Sequence, residues 1–245
     1  MTRPDIAAII LAAGKGSRMG SDLHKVLHVL GGQTMLGRVL STLDQLKATR
    51  CITVVGAGRD QIHAAYPALD TMVQDSQLGT GHAVRCALPG LGGFDGTILV
   101  LYGDVPLIRA GTLQALADLV QGDTALAVLG FRPQDPRAYG RLVTDDQGAL
   151  ERIVEFSDAT DAERAIDFCN SGILAGRADV LRRLLPQIRN DNAKGEYYLT
   201  DVVALARAEG HRIATAQAEP LEVTGVNSQA ELAALEQQLT EHADG

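Results

Sequence analysis

The chain has 245 residues, 46% hydrophobic and 21% charged, which is enough to bury a sizeable core and ordinary for a globular protein. A formal net charge of −8 argues against a broad nucleic-acid footprint or attraction to an anionic membrane, and leaves small anions held in local basic pockets. Cys51, Cys86 and Cys169 are far apart and form no C-x-x-C pair, which excludes a disulfide framework or a zinc site.

IAAIILA (6–12) reads as a buried strand; at eight residues the apolar run 6–13 is too short to span a membrane, and the preceding Asp5 spoils it as a signal peptide, so a cytoplasmic location is expected. It runs into LAAGKGSRMGSDLHKVL (11–27). The loop carries Lys15, Arg18 and Lys25, but its glycines fit neither G-x-G-x-x-G nor the P-loop pattern. Leu36, Val39, Leu40, Leu43 and Leu46 recur at helical spacing. CITVVGAG (51–58) is a second strand, followed by a helix near 61–69 and a helical run after DSQLGTGHAV (75–84). TILVLYGD (97–104) and ALAVLGF (125–131) are further strands, with a helix near 112–120 between them. This alternation predicts an α/β fold, a doubly wound, mostly parallel mixed sheet in three α/β/α layers. From residue 132 the chain becomes turn-rich, then offers strands at 149–156 and 168–176 and helices at 178–188 and 199–208. These predict a second lobe that adds antiparallel pairing at the sheet edge. In GVNSQAELAALEQQL (225–239), Ser228 and Glu231 have capping-box spacing before the stripe Leu232, Leu235 and Leu239, so Asn227 falls immediately outside a helix. The expected organisation is one domain over residues 1–245, with a nucleotide-binding lobe to about 108 and a sugar-binding lobe from about 109.

Open parallel sheets bind ligands beyond the carboxyl ends of their strands. LAAGKGSR and LYGD occupy such positions. Glycine backbone N–H groups approach phosphate oxygens closely, Lys25 and the fork of Arg18 offset their charge, and Asp104 suits Mg²⁺, which takes oxygen ligands and bridges to phosphates. Taken singly, the loop is equally a tight βα turn, Asp104 a helix cap, and Arg18 and Lys25 solvated surface charges. Their joint occurrence favours phosphate or nucleotidyl transfer. Gln74 or Gln77 is placed to read a base edge, beside the small residues Gly79, Thr80 and Gly81.

LAAGKGSRM followed by KVLH resembles the opening signature of the sugar-1-phosphate nucleotidyltransferase family. QLGTGHAV, LYGDVPLI, YGR, IVEFSDAT, NSGI, GEYYLTD and GVN are similar, in this order, to the uridylyltransferase half of its bacterial bifunctional uridylyltransferase/acetyltransferase branch. The resemblance spans residues 6–239. It implies a Rossmann-like fold of the glycosyltransferase-A type and the Mg²⁺-dependent reaction of UTP with N-acetylglucosamine 1-phosphate, giving UDP-N-acetylglucosamine and pyrophosphate. It implies that Leu11, Ala12, Ala13 and Gly14 hold the nucleotide, Lys25 the phosphates and Arg18 the α-phosphate in transfer. Gln74, Gly79 and Thr80 would read uracil; Tyr102, Gly103 and Asp104 would run along the ribose and diphosphate. Gly140, Glu155, Asn170 and Asn227 would surround the sugar, and Asp104 with Asn227 would bind Mg²⁺. Arg18, Lys25 and Asp104 would be the catalytic set. Departures from the pattern are Ser157 where the family has lysine, His24 where it prefers proline, and Ser171 where it has threonine. The acetyltransferase β-helix is absent from these residues, so a monomer or weak dimer is expected rather than a trimer built through that element.

Overall fold

The computed structural model describes residues 5–14, 16–136, 139–146 and 149–243. Strand β1 (Ile6–Ala12) is buried at every position because each face of it meets a different layer of helices. Ala7, Ile9 and Leu11 pack with α3 (Thr80–Ala87), α6 (Ala178–Leu184) and α7 (Asp201–Ala208). Ile6, Ala8, Ile10 and Ala12 pack with α1 (Met35–Leu46), α2 (Arg59–Ala65) and α4 (Ala110–Asp118). Continuous apolar runs with the two-residue strand period thus give a sheet covered on both faces, as the sequence predicts.

Among the described residues the main sheet has nine strands. After β1 the chain forms a small hairpin, β2 (Val29–Leu30) and β3 (Gln33–Thr34), before α1. It then adds β4 (Arg50–Val55) and β5 (Thr71–Val73) on one side of β1, and returns through α3 to place β6 (Thr97–Tyr102) on the other. The remaining strands are β7 (Thr124–Phe131), β8 (Arg141–Thr144), β9 (Leu150–Val154), β10 (Cys169–Arg177) and β11 (Arg212–Gln217). The path is β11-β7-β10-β6-β1-β4-β5, parallel throughout except for β10, with the β8–β9 hairpin hanging from β10. The strand order reverses at β1, and Leu11 pairs directly with Tyr102, so the loops leaving β1 and β6 open side by side at the switch point.

One expectation is corrected by the strand order. The antiparallel strand does not extend the sheet edge; β10 is inserted between β6 and β7, since an apolar strand such as SGILAG (residues 171–176) fits the doubly covered interior in either direction. The edge is β11, whose RIATAQ gives only a weak apolar signal, with Ile213 as its one large apolar residue. Smaller shifts follow from proline: α6 stops at Leu184 and Pro186 turns the rest of the expected helix into a 3₁₀ turn. Helix α5 (Asp161–Arg164) carries a full capping box from Thr160 and Glu163. The last helix, α8 (Gln229–Ala243), lays Leu235 and Leu239 on Leu30 and Met35 of the hairpin region.

Candidate active site

The loop after β1 is not a tight βα turn, because α1 begins only at Met35. Instead Ser17–Met19 forms a 3₁₀ turn flanked by Gly16 (φ 60°) and Gly20 (φ 58°), both left-handed, and pinned by the buried Met19. A Cβ on Gly16 would lie 2.6 Å from Lys25 Cβ, so the glycine lets the loop fold back onto the segment that carries Lys25. That segment is itself fixed: the His24 N–H donates to Gln61 Oε1 at 2.7 Å, and Gln61 Nε2 donates to Asp22 O at 2.9 Å. Burial, followed by the neighbouring charge of Lys25, lowers the pKa of His24 and keeps its ring neutral.

Lys25 Nζ donates to Asp104 Oδ2 and, at 3.1 Å, to Asn227 Oδ1. Three segments converge here. Lys25 comes from the loop after β1 and Asp104 from the turn after β6. Asn227 is drawn in because Val226 N–H donates to Asp104 O at 2.9 Å and Asn227 N–H donates to Glu231 Oε2 at 2.6 Å. Glu231 N–H in turn donates to Ser228 Oγ, so Ser228 caps the helix as expected while the Glu231 carboxylate reaches one residue further back, to Asn227. Asp104 does not cap a helix, since α4 starts at Ala110.

The arrangement tests the expected metal. Among the described residues there is no group of three His, Cys, Asp or Glu side chains that could hold an ion. Yet a carboxylate oxygen and an amide oxygen already meet on one ammonium group, which marks a cation position with hard donors. Two such donors, completed by phosphate oxygens and water, fit Mg²⁺.

Two clefts meet at this point. The first, about 270 Å³, is lined by Leu11, Ala12, Ala13, Gly14, Lys25, Val26, Gln74, Gln77, Gly79, Thr80, Ala83, Tyr102, Asp104 and Glu196. The second, about 240 Å³, is lined by Tyr102, Asp104, Val105, Tyr139, Gly140, Glu155, Asn170, Ser171, Gly172, Val223 and Gly225. Tyr102 and Asp104 belong to both. In the first cleft, Gln77 Nε2 donates to Ala13 O, tying that wall to the glycine loop. Gly79 (φ 108°) is pressed on Tyr197, whose carbonyl accepts from Gly81 N–H at 2.8 Å, and Thr80 Oγ1 accepts from Leu199 N–H at 3.0 Å. LGTGHAV and GEYYL are therefore one structural unit.

In the second cleft a register shift in β10 between Asn170 and Leu174 accompanies the placement of Asn170, Ser171 and Gly172 on its lining. Gly172 (φ 86°) faces the Tyr102 ring, where a Cβ would stand 2.6 Å from Cε2. Burial pushes the Tyr102 phenol up, and the charges of Asp104 and Glu155 push it further, so it stays protonated beside the carboxylates. The Glu155 carboxyl is also raised, chiefly by burial and then by Asp158 and Asp201, against Lys194 and a hydrogen bond from Thr200 Oγ1 at 3.4 Å. The cysteines take no part: all three are unbridged, and burial raises each thiol, Cys51 to about 12.

Of the sequence-derived residues, Leu11 to Gly14, Lys25, Gln74, Gly79, Thr80, Tyr102 and Asp104 lie together on the first cleft. Gly140, Glu155 and Asn170 lie together on the second. Gly103 lies behind Asp104, its N–H donating to Leu11 O at 3.0 Å. Arg18 stands apart, exposed on the 3₁₀ turn and off the lining of both clefts. Lys15 lies outside the described residues. Glu196, Tyr139 and Gly172 were not singled out by sequence reasoning; Gly172 was within reach, since a glycine inside a strand signals a bulge or a close approach.

The sheet order, the crevice at its switch point and the glycine loop on one wall define an α/β nucleotidyltransferase. The fold is similar to that of a nucleotidyl transferase from Methanothermobacter, with a TM-score of 0.68 at 22% identity over 97% of this chain and 99% of that one. Residues 8–242 match the MobA-like NTP transferase domain, and the chain belongs to that family. It is 53% identical over 240 residues to the bifunctional protein GlmU of Rhizorhabdus wittichii, which covers 96% of this chain and 53% of the relative. To GlmU of Zymomonas mobilis it is 49% identical over 236 residues, 94% of this chain and 52% of the relative. To that of Paracoccus denitrificans it is 50% identical over 240 residues, with 96% and 53% covered. The chain spans about half the length of these relatives. No helix among the described residues is long and apolar enough to cross a membrane.

Proposed function

We propose that the protein transfers UMP from UTP to N-acetylglucosamine 1-phosphate, giving UDP-N-acetylglucosamine and pyrophosphate. One observation carries the reading: Lys25, Asp104 and Asn227 meet where two clefts join, one walled by the glycine loop and Gln74, the other by Gly140, Glu155 and Asn170. UTP takes the first cleft and the sugar phosphate the second, with Tyr102 and Asp104 between them. Gln74, Gly79 and Thr80 contact the base. Glu155 and Asn170 contact the sugar, with Gly140 beside them on the same wall.

The acceptor phosphate is ionised at neutral pH, so the step requires no general base. Its oxygen attacks the α-phosphorus of UTP and forms the new P–O bond. The bond from that phosphorus to the bridging oxygen breaks, and pyrophosphate leaves. The obstacle is bringing two polyanions into line, which the site meets by proximity and by fixed cationic charge. Lys25 leaves Asp104 for the phosphates as UTP arrives, and Arg18 reaches in from its exposed turn. Asp104 and Asn227 would hold Mg²⁺, which when bound would neutralise charge on the triphosphate.

The test is pyrophosphate release from UTP with a panel of N-acetylglucosamine, N-acetylgalactosamine and glucose 1-phosphates, with and without Mg²⁺. Mg²⁺-dependent release restricted to N-acetylglucosamine 1-phosphate is the expected result, and no release with any of the three ends the reading. Lys25→Ala and Asp104→Ala should each lower turnover at least about 100-fold, the scale of one lost transition-state contact.

A further inference from the structure

Behind the wall of the first cleft, His82 lies off the lining and holds a side chain that is on it, Gln74. Gln74 is 4% exposed, and its backbone N–H donates to Val55 O at 2.8 Å. Its amide Nε2 donates twice, to Gly79 O at 3.0 Å and to His82 Nδ1 at 3.0 Å. The Gly79 carbonyl accepts one amide N–H and the His82 ring nitrogen the other, so the two partners together hold one orientation: both N–H bonds turn away from the ligand and Oε1 is left for the cleft. For His82 Nδ1 to accept, its proton must sit on Nε2, and that nitrogen faces Cys86 Sγ one helical turn on, at 3.7 Å. The Tyr197 ring, 6.5 Å away centroid to centroid, flanks the imidazole.

We infer that His82 is a positioning residue for base selection, fixing the Gln74 amide so that the cleft presents a hydrogen-bond acceptor. A base edge with an N–H donor at the matching position, as uracil has at N3, completes that pair. Cytosine carries a lone pair at N3, which would set two acceptors face to face. Choice of pyrimidine is thereby set one residue behind the wall. Without His82 one amide N–H is left buried and unpaired and only the Gly79 bond still opposes rotation of the amide, so discrimination against the rotated form, whose Nε2 would suit cytosine, is weakened. The inference rests on the proposed placement of the base beside Gln74.

The experiment compares UTP and CTP, each with Mg²⁺, by calorimetric binding and by kcat and KM for pyrophosphate release, on the whole chain. Variants are His82→Leu, His82→Asn and His82→Gln. Asn carries Oδ1 near the position of Nδ1 and restores an acceptor; Gln places its polar atoms farther out, near Nε2. The wild type should prefer UTP by at least about tenfold, as one complementary base contact provides. His82→Leu should cut that preference by about tenfold, on the scale of one hydrogen bond that orients the site. The loss should fall on KM for UTP rather than on kcat, His82→Asn should regain most of it, and His82→Gln should not. A wild type with no preference for UTP sinks the placement of the base, before any variant is made. A wild type that does discriminate, with His82→Leu discriminating equally, sinks the role of His82 alone. Should His82→Leu fail to fold, the contrast between Asn and Gln decides: equal preference in the two overturns the inference.

Discussion

Lys25→Met should change affinity for a divalent ion and for the nucleotide in opposite directions. Without ligand, the Lys25 ammonium sits against Asp104 Oδ2 and 3.1 Å from Asn227 Oδ1, the two oxygens assigned to the metal. Any cation must displace it. The two side chains are only 13% and 17% exposed, so water screens them incompletely. Opposite unit charges 4 Å apart are coupled by about 4 kcal/mol at an effective dielectric constant of 20 and about 1 kcal/mol in bulk water. A pair at the mouth of a cleft falls between these limits, and about 1.4–3 kcal/mol corresponds to a ten- to hundredfold gain in metal affinity once the lysine is gone. The same methionine removes a phosphate partner, so UTP affinity should fall by a similar factor. Electron paramagnetic resonance titration with Mn²⁺, in the absence of nucleotide, measures the first effect, and calorimetry with UTP the second. Asp104→Asn should weaken Mn²⁺ binding in either background. Unaltered or weaker Mn²⁺ binding by Lys25→Met would refute the idea that the ammonium occupies the cation position.

Other outcomes follow from the neighbouring geometry. Gly172→Ala forces a Cβ to within 2.6 Å of a rigid ring atom at φ 86°, and should cost about 1–3 kcal/mol, seen as a fall in Tm of about 2–4 °C per kcal/mol in a chain of this size. Glu155→Gln should weaken binding of the sugar phosphate yet stabilise the fold at neutral pH. Because the folded carboxyl is raised, the wild type is most stable below the ordinary carboxylate range and loses stability as pH rises through the folded value. Urea midpoints of the two proteins should therefore diverge towards pH 8 and converge near pH 4; a gap independent of pH would contradict this. Arg141 is 1% exposed, donates to the carbonyls of Tyr139 and Arg164, and has Phe156 within cation–π reach. Lysine cannot reproduce the fork, so Arg141→Lys should cost about 1–3 kcal/mol and raise KM for the sugar phosphate, as the strand after Gly140 loosens.

The strands that frame the site were legible because IAAIILA and TILVLY are apolar on both faces, a pattern that only a doubly covered sheet explains. Nothing in SGILAG, by contrast, specifies which two strands it will separate, and pairing direction is decided by neighbours far away in sequence. β11 was missed because RIATAQ, with Ile213 its one large apolar residue, offers little for a pattern to detect. Within the site, Lys25, Asp104 and Asn227 could be picked out as chemistry-bearing residues at strand or helix ends. Their mutual contact follows from the Val226-to-Asp104 backbone bond, which composition and spacing do not encode. Arg18 looked equivalent to Lys25 because both are cations near one glycine loop. Left-handed Gly16 and Gly20 instead flank a 3₁₀ turn on which its side chain is exposed.

The parts of the cleft are held to one another mainly through main-chain atoms. Gly103 N–H bonds Leu11 O, Val226 N–H bonds Asp104 O, Asn170 N–H bonds Gly140 O, and Tyr197 both donates to Leu78 O and accepts from Gly81 N–H. Side-chain identity matters little to these ties except where a Cβ would intrude, as at Gly79 and Gly172. The frame and the chemistry are therefore separable: Lys25, Asp104, Glu155 and Asn170 can be replaced without removing any of those backbone bonds. The same separation would let an acidic chain hold the two phosphate-bearing ligands proposed for it, because Lys25 is placed locally by a frame to which net charge is irrelevant.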